Sequence, residues 1–361
     1  MTPTTASPVD VGATADADRV VPPRPRELTP ALLVAGLATV AVAALVGLAV
    51  GPVPIDAGAI LRSAAARLGL GADGLSATES AILWELRAPR VALGLAVGAL
   101  LGGSGAAYQG VFRNPLADPY LLGVAAGAGL GATLAIVTGA SASGAAVPPA
   151  AFAGALLAVG ATAVLSLRRR GGVGPAALIL AGVAVAALLA AVQTYLLQRY
   201  ADSLRVVYGW LLGRLSTAGW DDVLLVLPYL AVCAVLLVLA APALDVLAVG
   251  DEEAATLGVR PGRTRALVVA VASLGTAAAV SVSGLIGFVG LLVPHGVRLL
   301  AGTANRRVVP LSMLAGAAFL VIADLVARTV QAPAELPIGV ITALVGAPAF
   351  LLVLRSQGSR A

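Results

Sequence analysis

Long apolar runs follow one another along almost the whole chain, and they constrain the fold more than any other feature. About ten of them have the length and composition of a helix that crosses roughly 30 Å of hydrocarbon. Hydrophobic residues make up 59% of the chain and charged residues 11%, against about 25% charge in soluble domains. The sequence therefore predicts an all-α, polytopic membrane protein. The runs lie at about 31–51, 90–112, 119–139, 148–167, 175–197, 222–241, 264–281, 284–300, 308–327 and 336–354.

The seventh and eighth runs meet near residues 281–284 without a polar loop between them. This junction predicts either a tight outer turn or a broken, partly re-entrant segment. The eighth run lies within Ser283–Arg298 (SGLIGFVGLLVPHGVR) and holds the chain's only histidine, His295, directly after Pro294. Two hypotheses follow: an active-site histidine, or a structural element of a transport scaffold. We expect Pro294 to end this helix near the cytoplasm.

The chain contains no lysine, so its net charge of +5 comes from arginine alone. A P-loop needs a lysine on the β- and γ-phosphates, so ATP-driven transport would require a partner subunit that binds the ATP. No clustered basic residues of the kind that bind nucleic acid are seen. The single cysteine, Cys233, excludes a disulfide or a Cys-based metal site. Because a nucleophile–base or metal constellation is lacking, we expect no catalytic and no metal-binding residues.

Residues 1–30 differ in composition from the rest of the chain. They are rich in Thr, Pro, Asp and Ala and have no apolar periodicity, which predicts a disordered tail ahead of a transmembrane domain at 31–356. An N-terminus in the cytoplasm places the arginines of most short loops inside, among them Arg113, Arg168–Arg170 and Arg306. The sequence thus predicts a multi-pass protein with a cytoplasmic N-terminus.

Small residues recur four apart in two of the runs. Such rows let helix backbones approach closely in lipid, so they predict a tightly packed bundle. The rows are Gly94, Gly98 and Gly102, and Gly123, Gly127 and Gly131.

Several short motifs stand in a fixed order along the chain, and together they resemble the FecCD family, the permease subunits of type II ABC importers for iron–siderophore, haem and cobalamin. The resemblance covers about residues 30–356. Ser283–Arg298 is part of it, so His295 is expected to order a helix end near the coupling loop rather than to transfer a proton. The other motifs are Leu86–Arg90, Tyr108–Pro119, Leu122–Val124, Leu180–Val183, Tyr208–Gly213, Glu253–Gly258, Ala323–Arg328 and Glu335–Phe350.

This resemblance implies the type II ABC importer permease fold and a subunit that imports a bulky iron chelate across a bacterial cell membrane. An iron–siderophore is the first expectation, and haem or cobalamin are alternatives. The implied partners are a dimer of ABC ATPase subunits that binds ATP and Mg, an extracytoplasmic substrate-binding protein, and an identical or related second permease in the lipid membrane. The competing hypothesis is an ion-coupled secondary transporter, which predicts inverted repeats and several midplane acids.

On the cytoplasmic side, the resemblance implies a coupling helix in the loop at about 243–263, which contacts the ATPase. From position alone, a solvated connector is the alternative. Gly258 is expected to stop this helix. The expected contacts are Glu252, Glu253, Ala254, Leu257 and Gly258.

The segment Asn114, Pro115 and Leu116 breaks the helix at the cytoplasmic end of the second run. The resemblance implies that it forms part of a cytoplasmic gate, and a simple turn is the alternative. Gly171–Pro175 is expected to form a second gate segment, although it is less polar than the family's version.

On the outer side, Arg87, Arg90 and Arg328 lie near the ends of runs. Their type and position alone predict interfacial anchors that snorkel. The resemblance instead implies that they pair with carboxylates of the substrate-binding protein. Asp324 and Arg328 are four apart and could pair on one helix face, and we favour a structural ion pair over a proton relay.

The resemblance also implies a translocation path between two permease subunits, lined by the fifth and tenth runs. The corresponding stretches, Gly182–Leu197 and Ile338–Phe350, are strongly apolar. Gln193 and Thr194 are among the few polar side chains in them.

Overall fold

The computed structural model describes residues 28–140, 145–167 and 175–358. Almost all of the predicted tail at 1–30 therefore lies outside the described residues, as do Arg168–Arg170 and most of the expected second gate segment. The described chain is built of helices. They are α1 (Pro30–Ala49), α2 (Ala57–Arg67), α3 (Ala77–Ala81), α4 (Ala88–Phe112), α5 (Val124–Val137), α6 (Val147–Leu167), α7 (Pro175–Arg199), α8 (Leu204–Leu211), α9 (Trp220–Leu247), α10 (Asp251–Thr256), α11 (Pro261–Ser283), α12 (Val289–Ala301), α13 (Asn305–Thr329) and α14 (Ile338–Gly358).

Each of the ten predicted runs corresponds to a helix, which confirms the all-α membrane fold. In the described residues, seven helices are long and apolar enough to cross a membrane, whereas α5, α12 and the apolar part of α14 are shorter. The 13 residues of α12 rise only about 20 Å, less than the roughly 30 Å of hydrocarbon. Irregular backbone must therefore lie at membrane depth, where the protein itself has to satisfy its polar groups.

The centre of the bundle is α4, which packs against α13, α11, α9 and α12. It continues without interruption from α3 through a π-helical turn at Ile82–Arg87, so that one helix runs from Ala77 to Phe112. The sequence places the start of this helix too late, near residue 90. A capping box starts it earlier, because Ser76 accepts from the Glu79 amide at 3.3 Å and Glu79 accepts from the Ser76 amide at 2.9 Å.

Glycines of the two rows form close helix contacts, as expected for a tightly packed bundle. A Cβ atom on Gly98 would lie 2.2 Å from the carbonyl oxygen of Gly316, and one on Gly102 would lie 2.2 Å from that of Ser312. On the other side of the bundle, a Cβ on Gly127 would lie 2.2 Å from the carbonyl oxygen of Gly154. The α4–α13 and α5–α6 pairs thus have backbone against backbone, with no room for any side chain.

The junction between α11 and α12 is a broken segment, not a tight outer turn. The helix stops at Gly284, which has φ +71°, and it resumes after Phe288, which has φ +67°. Inside the break, the hydroxyl of Tyr120 accepts from the Ile286 amide at 3.1 Å and donates to the Ile286 carbonyl at 2.9 Å. One side chain from the α4–α5 connection therefore satisfies both backbone groups of a buried residue that has no helical partner.

The expectation that Pro294 ends a helix is wrong, because α12 continues to Ala301. A proline inside a helix frees the carbonyl four residues earlier, here that of Gly290. The buried amide of Gln109 on α4 donates to the carbonyls of Gly290 at 3.4 Å and Leu291 at 3.2 Å. This outside donor explains how the proline is tolerated in mid-helix.

Candidate functional site

The loop predicted to hold a coupling helix contains α10, a six-residue helix at Asp251–Thr256. Gly258, with φ +82°, ends it as expected. The Val259 amide donates to the Ala254 carbonyl and the Gly258 amide to the Ala255 carbonyl, each at 3.0 Å, which is the Schellman arrangement. A helix this short thus receives a defined end from its own backbone.

Four of the five expected contact residues of α10 are open to a partner. Glu252, Glu253 and Gly258 are exposed, and Leu257 is a large apolar side chain with 67% exposure. Ala254 has no exposed surface and packs α10 onto the fold. It therefore offers no surface for the expected direct contact, and its place is structural.

The first residue of α10 is held by two arginines from other helices. Asp251 accepts from Arg265 of α11 at 2.7 Å and from Arg113, at the end of α4, at 3.2 Å. The hydrogen bonds from Arg265 hold the pKa of Asp251 below its ordinary value; the charges of both arginines add to this, and partial burial opposes it. These ion pairs link α10 to α11 and to the end of α4, the centre of the bundle.

A second polar junction on this face links α9 to α13. The N-cap position of α13, Ala304, has no capping side chain, and Asp245 of α9 takes over this role by accepting from the amide of Asn305. Asp245 also pairs with the Arg306 guanidinium at 2.9 Å. The sequence analysis missed this residue, although a carboxylate at the end of an apolar run is a visible signal.

The gate segment, Asn114, Pro115 and Leu116, follows directly after the end of α4. The Asn114 side chain accepts from the Leu116 amide at 2.9 Å, a local turn that holds Pro115 and Leu116 on the surface. These two residues, with Leu291, Leu292, His295 and Phe350, line a cavity of about 10 Å³.

The cavity brings the gate segment, α12 and α14 together at one point. The sole histidine therefore lines this small cavity and does not cap a helix end, since α12 runs six residues past it.

The arginines predicted for the outer side form most of their contacts inside the fold. Arg87 is 5% exposed, and its guanidinium donates to the carbonyls of Leu48 at 2.7 Å and Ala49 at 3.1 Å. Arg328 is 7% exposed and donates to the Gly47 carbonyl. Both residues satisfy carbonyls at the end of α1 that have no helical partner. Their expected role in docking a binding protein stays a prediction.

Arg90 is the centre of a charge cluster that joins α4, α13 and the start of α14. It donates to Asp324 through Nε at 2.9 Å and Nη2 at 2.9 Å, and to Glu335 through Nη1 at 2.9 Å. The expected pair of Asp324 with Arg328 is present but long, at 3.9 Å. The principal partner of Asp324 is thus 234 residues away in sequence, where no local pattern could point to it.

The two expected pathway helices, α7 and α14, each leave an apolar face uncovered. Gln193 turns to α5, where its amide donates to the Thr133 hydroxyl at 3.0 Å, while Thr194 is exposed and donates to the Ala190 carbonyl of its own helix. Each of these two side chains thus donates a hydrogen bond within the fold, and the lining role stays a prediction. The exposed apolar side chains include Leu180, Val183, Leu188, Tyr195, Leu344, Val345, Leu351 and Leu352.

Comparison with known proteins finds relatives that are similar to this chain over most of their length. The chain is 48% identical over 289 residues to the cobalamin import system permease protein BtuC of Halobacterium salinarum, covering 80% of this chain and 77% of that protein. It is 40% identical to the hemin transport system permease protein HmuU of Yersinia pestis, covering 77% and 85%. It is 36% identical to the Fe(3+)-citrate import system permease protein YfmE of Bacillus subtilis, covering 80% and 86%.

A solved structure has the same fold. A metal-chelate type ABC transporter in an inward-facing conformation superposes with a TM-score of 0.80 at 28% identity, covering 91% of this chain and all of that chain. Residues 38–356 match the FecCD transport family. A family of this kind implies an ATPase and a substrate-binding protein as partners. The chain belongs to the FecCD transport family, and it is a membrane-spanning permease subunit of an ABC importer, not an enzyme.

Proposed function

We propose that this chain carries a bulky iron chelate from an extracytoplasmic binding protein into the cytoplasm of a bacterium. An iron–siderophore complex is the first candidate, with haem and cobalamin as alternatives. Three relatives are named for cobalamin, hemin and iron citrate, all of which are metal ions inside an organic chelator. The apolar faces of α7 and α14 suit a path that holds such cargo weakly, and a second permease, identical or related, would cover them.

The observation that carries the proposal is the attachment of α10 to the bundle by ion pairs. Its exposed residues Glu252, Glu253 and Leu257 form a surface that an ATPase subunit could grip, while Asp251 ties it to α4 and α11. We infer that closure of an ATPase dimer pushes on α10, and that the push passes along α4 and α11 to the gate segment. ATP and Mg would bind to the ATPase, since this chain has no lysine for a P-loop.

The same geometry speaks against the ion-coupled alternative. A proton relay needs an acid that can exchange its proton along a path. Asp324 is buried against Arg90 and Arg328, and Glu335 bonds to Arg90 as well. These acids are neutralised by fixed arginines at the end of the bundle opposite α10, as expected for a structural cluster.

The test is uptake into proteoliposomes that hold the permease with its ATPase and binding protein. A catalytically dead ATPase should abolish uptake, whereas persistent uptake driven by an ion gradient would establish the secondary transporter instead. A panel of ferric hydroxamates, ferric catecholates, haem and cobalamin, measured for affinity to the binding protein, then identifies the cargo. Binding of none of these chelates would contradict the proposed substrate class.

The docking proposal needs its own measurement, because Arg87 and Arg328 also support α1. Arg90→Glu and Arg87→Glu should both weaken the affinity of the binding protein for reconstituted permease, with membrane insertion intact. Arg62, an exposed arginine on α2, serves as the matched control in Arg62→Glu. Unchanged affinity in the first two variants, or an equal loss in the third, would remove docking from their role.

A further inference from the structure

A large cavity in the described part of the chain lies away from α7, α14 and the gate segment. It measures about 810 Å³ and opens between α6, α9 and α11. Trp220 begins α9 beside it, and α10 follows the opposite end of that helix. Since α9 has 28 residues and rises about 42 Å, the cavity and α10 lie on opposite membrane faces. With α10 in the cytoplasm, as proposed above, the cavity is in the outer leaflet.

Apolar and aromatic side chains of α6 and α9 line the cavity, and polar groups such as Thr217 and Ser281 lie among them. Phe152 of α6 and Tyr229 of α9 meet with ring centroids 5.3 Å apart, and α11 packs behind both helices. Leu225 of α9 is half exposed on the wall. From Trp220 to Tyr229 the helix rises about 13 Å, close to half of the roughly 30 Å hydrocarbon core. The depth therefore equals that of one leaflet.

The rim of the cavity carries charges of both signs. Arg214 lies in the α8–α9 connection, and Asp221 and Asp222 lie in the first turn of α9. No ion pair among the described residues involves any of the three, and one oxygen of Asp222 accepts from the Gly219 amide at 3.1 Å at the start of α9. The Arg214 amide donates to the Ser283 carbonyl at 2.8 Å, which fixes this connection to the end of α11. One cation beside two carboxylates is complementary to a phosphate followed by an ammonium group.

We propose that this cavity binds a zwitterionic phospholipid of the outer leaflet, a phosphatidylethanolamine. One acyl chain lies between α6 and α9 above the Phe152–Tyr229 pair. The phosphate pairs with Arg214 and the ammonium group with Asp221 and Asp222. A water-soluble ligand would leave the side chains of Phe152, Leu225 and Tyr229 without an apolar partner. An anionic phospholipid would meet two carboxylates with no cation to offer them.

The test is native mass spectrometry of the purified full-length permease after incubation with phosphatidylethanolamine or phosphatidylglycerol. The wild type should retain phosphatidylethanolamine and gain thermal stability from it. Leu225→Trp, which fills the cavity, should lower retention about tenfold. The matched control, Leu224→Trp, alters a neighbouring exposed leucine that does not line the cavity, and it should retain the lipid as the wild type does.

Two rim variants test the headgroup independently of packing. Arg214→Ala and Asp221→Asn, both at exposed positions, should reduce the preference for phosphatidylethanolamine over phosphatidylglycerol. Equal retention by Leu225→Trp and Leu224→Trp, or retention of detergent only, would overturn the site. Equal retention of the two lipids by the wild type would overturn the headgroup assignment. None of these readouts requires transport, so a failure here is distinct from a failure of the proposed function.

Discussion

The charge cluster around Arg90 gives the sharpest quantitative test of how the end of the bundle opposite α10 is held. Asp324→Asn keeps the shape of the side chain and removes its charge. Asp324 is 4% exposed and receives three hydrogen bonds from Arg90, between 2.9 and 3.1 Å. The substitution leaves Arg90 and Arg328 with an excess of buried positive charge.

The expected cost follows from the burial of the two partners. Breaking one side of a buried ion pair destabilises a protein by about 3–5 kcal/mol, since an uncompensated charge remains inside. Glu335 still bonds to Arg90, so we expect the lower end of that range, about 3 kcal/mol. Glu335→Gln is the matched comparison. Its side chain is 38% exposed, and an exposed pair contributes about 0–1 kcal/mol.

The assay is denaturation of the purified permease in one detergent, with insertion checked in membranes. Asp324→Asn should lower the melting temperature by several degrees and Glu335→Gln by far less. A double-mutant cycle with Arg90→Gln should show strong coupling to Asp324 and weak coupling to Glu335. If Asp324→Asn and Glu335→Gln cost the same, or if the cycle shows no coupling, the cluster does not hold α4, α13 and α14 together as described.

Three further predictions concern other parts of the fold. Tyr120→Phe removes both hydrogen bonds to the broken segment and should cost about 1–3 kcal/mol, whereas Tyr195→Phe on an exposed face of α7 should leave the melting temperature unchanged; equal melting temperatures would refute the bridging role. Gly98→Ala should prevent the approach of α4 to α13, so that size-exclusion chromatography no longer gives a monodisperse product. The control Gly160→Ala, in open space on α6, should remain monodisperse. A monodisperse Gly98→Ala would show that the contact is adjustable. The lowered pKa of Asp251 stabilises the protein above the ordinary carboxyl pKa of about 3.9, and this contribution disappears as the pH falls through the lowered value. The small advantage of the wild type over Asp251→Asn in melting temperature should therefore be constant from about pH 5 upward and vanish in acid. An advantage that grows on acidification would contradict the sign.

Two structural features of the candidate site could be predicted from the sequence because their signals are local. The helix stop at Gly258 depends on a few neighbouring residues, and so does the turn at Asn114. The capping box at Ser76 and Glu79 is an equally local signal, with a three-residue spacing, although the predicted helix start lay near residue 90. What could not be read was the burial of Ala254 under α10, because its surroundings come from other helices.

The partners of the charged and polar groups depended on packing between distant segments. Arg87 reads as an interfacial anchor in sequence, yet it caps the end of α1 from the neighbouring helix. Gln109 donates to the Gly290 carbonyl that Pro294 frees, and Tyr120 bridges Ile286, across 181 and 166 residues respectively. Each contact needs the two segments to be adjacent in space, which no motif spacing specifies.

The sequence by itself determined that this chain is a helical membrane protein and that a short polar helix interrupts its apolar runs. These conclusions follow from composition, from run length and from local capping, which act within a few turns of helix. Only the tertiary structure decided which faces of the helices meet, and with them the Arg90–Asp324 cluster, the broken segment held by Tyr120 and the cavity between α6, α9 and α11. The physical reason is that helices apolar on all sides carry no polar stripe to mark their packing face. Their orientation is set by glycine contacts and buried polar partners, and these exist only once the bundle has formed.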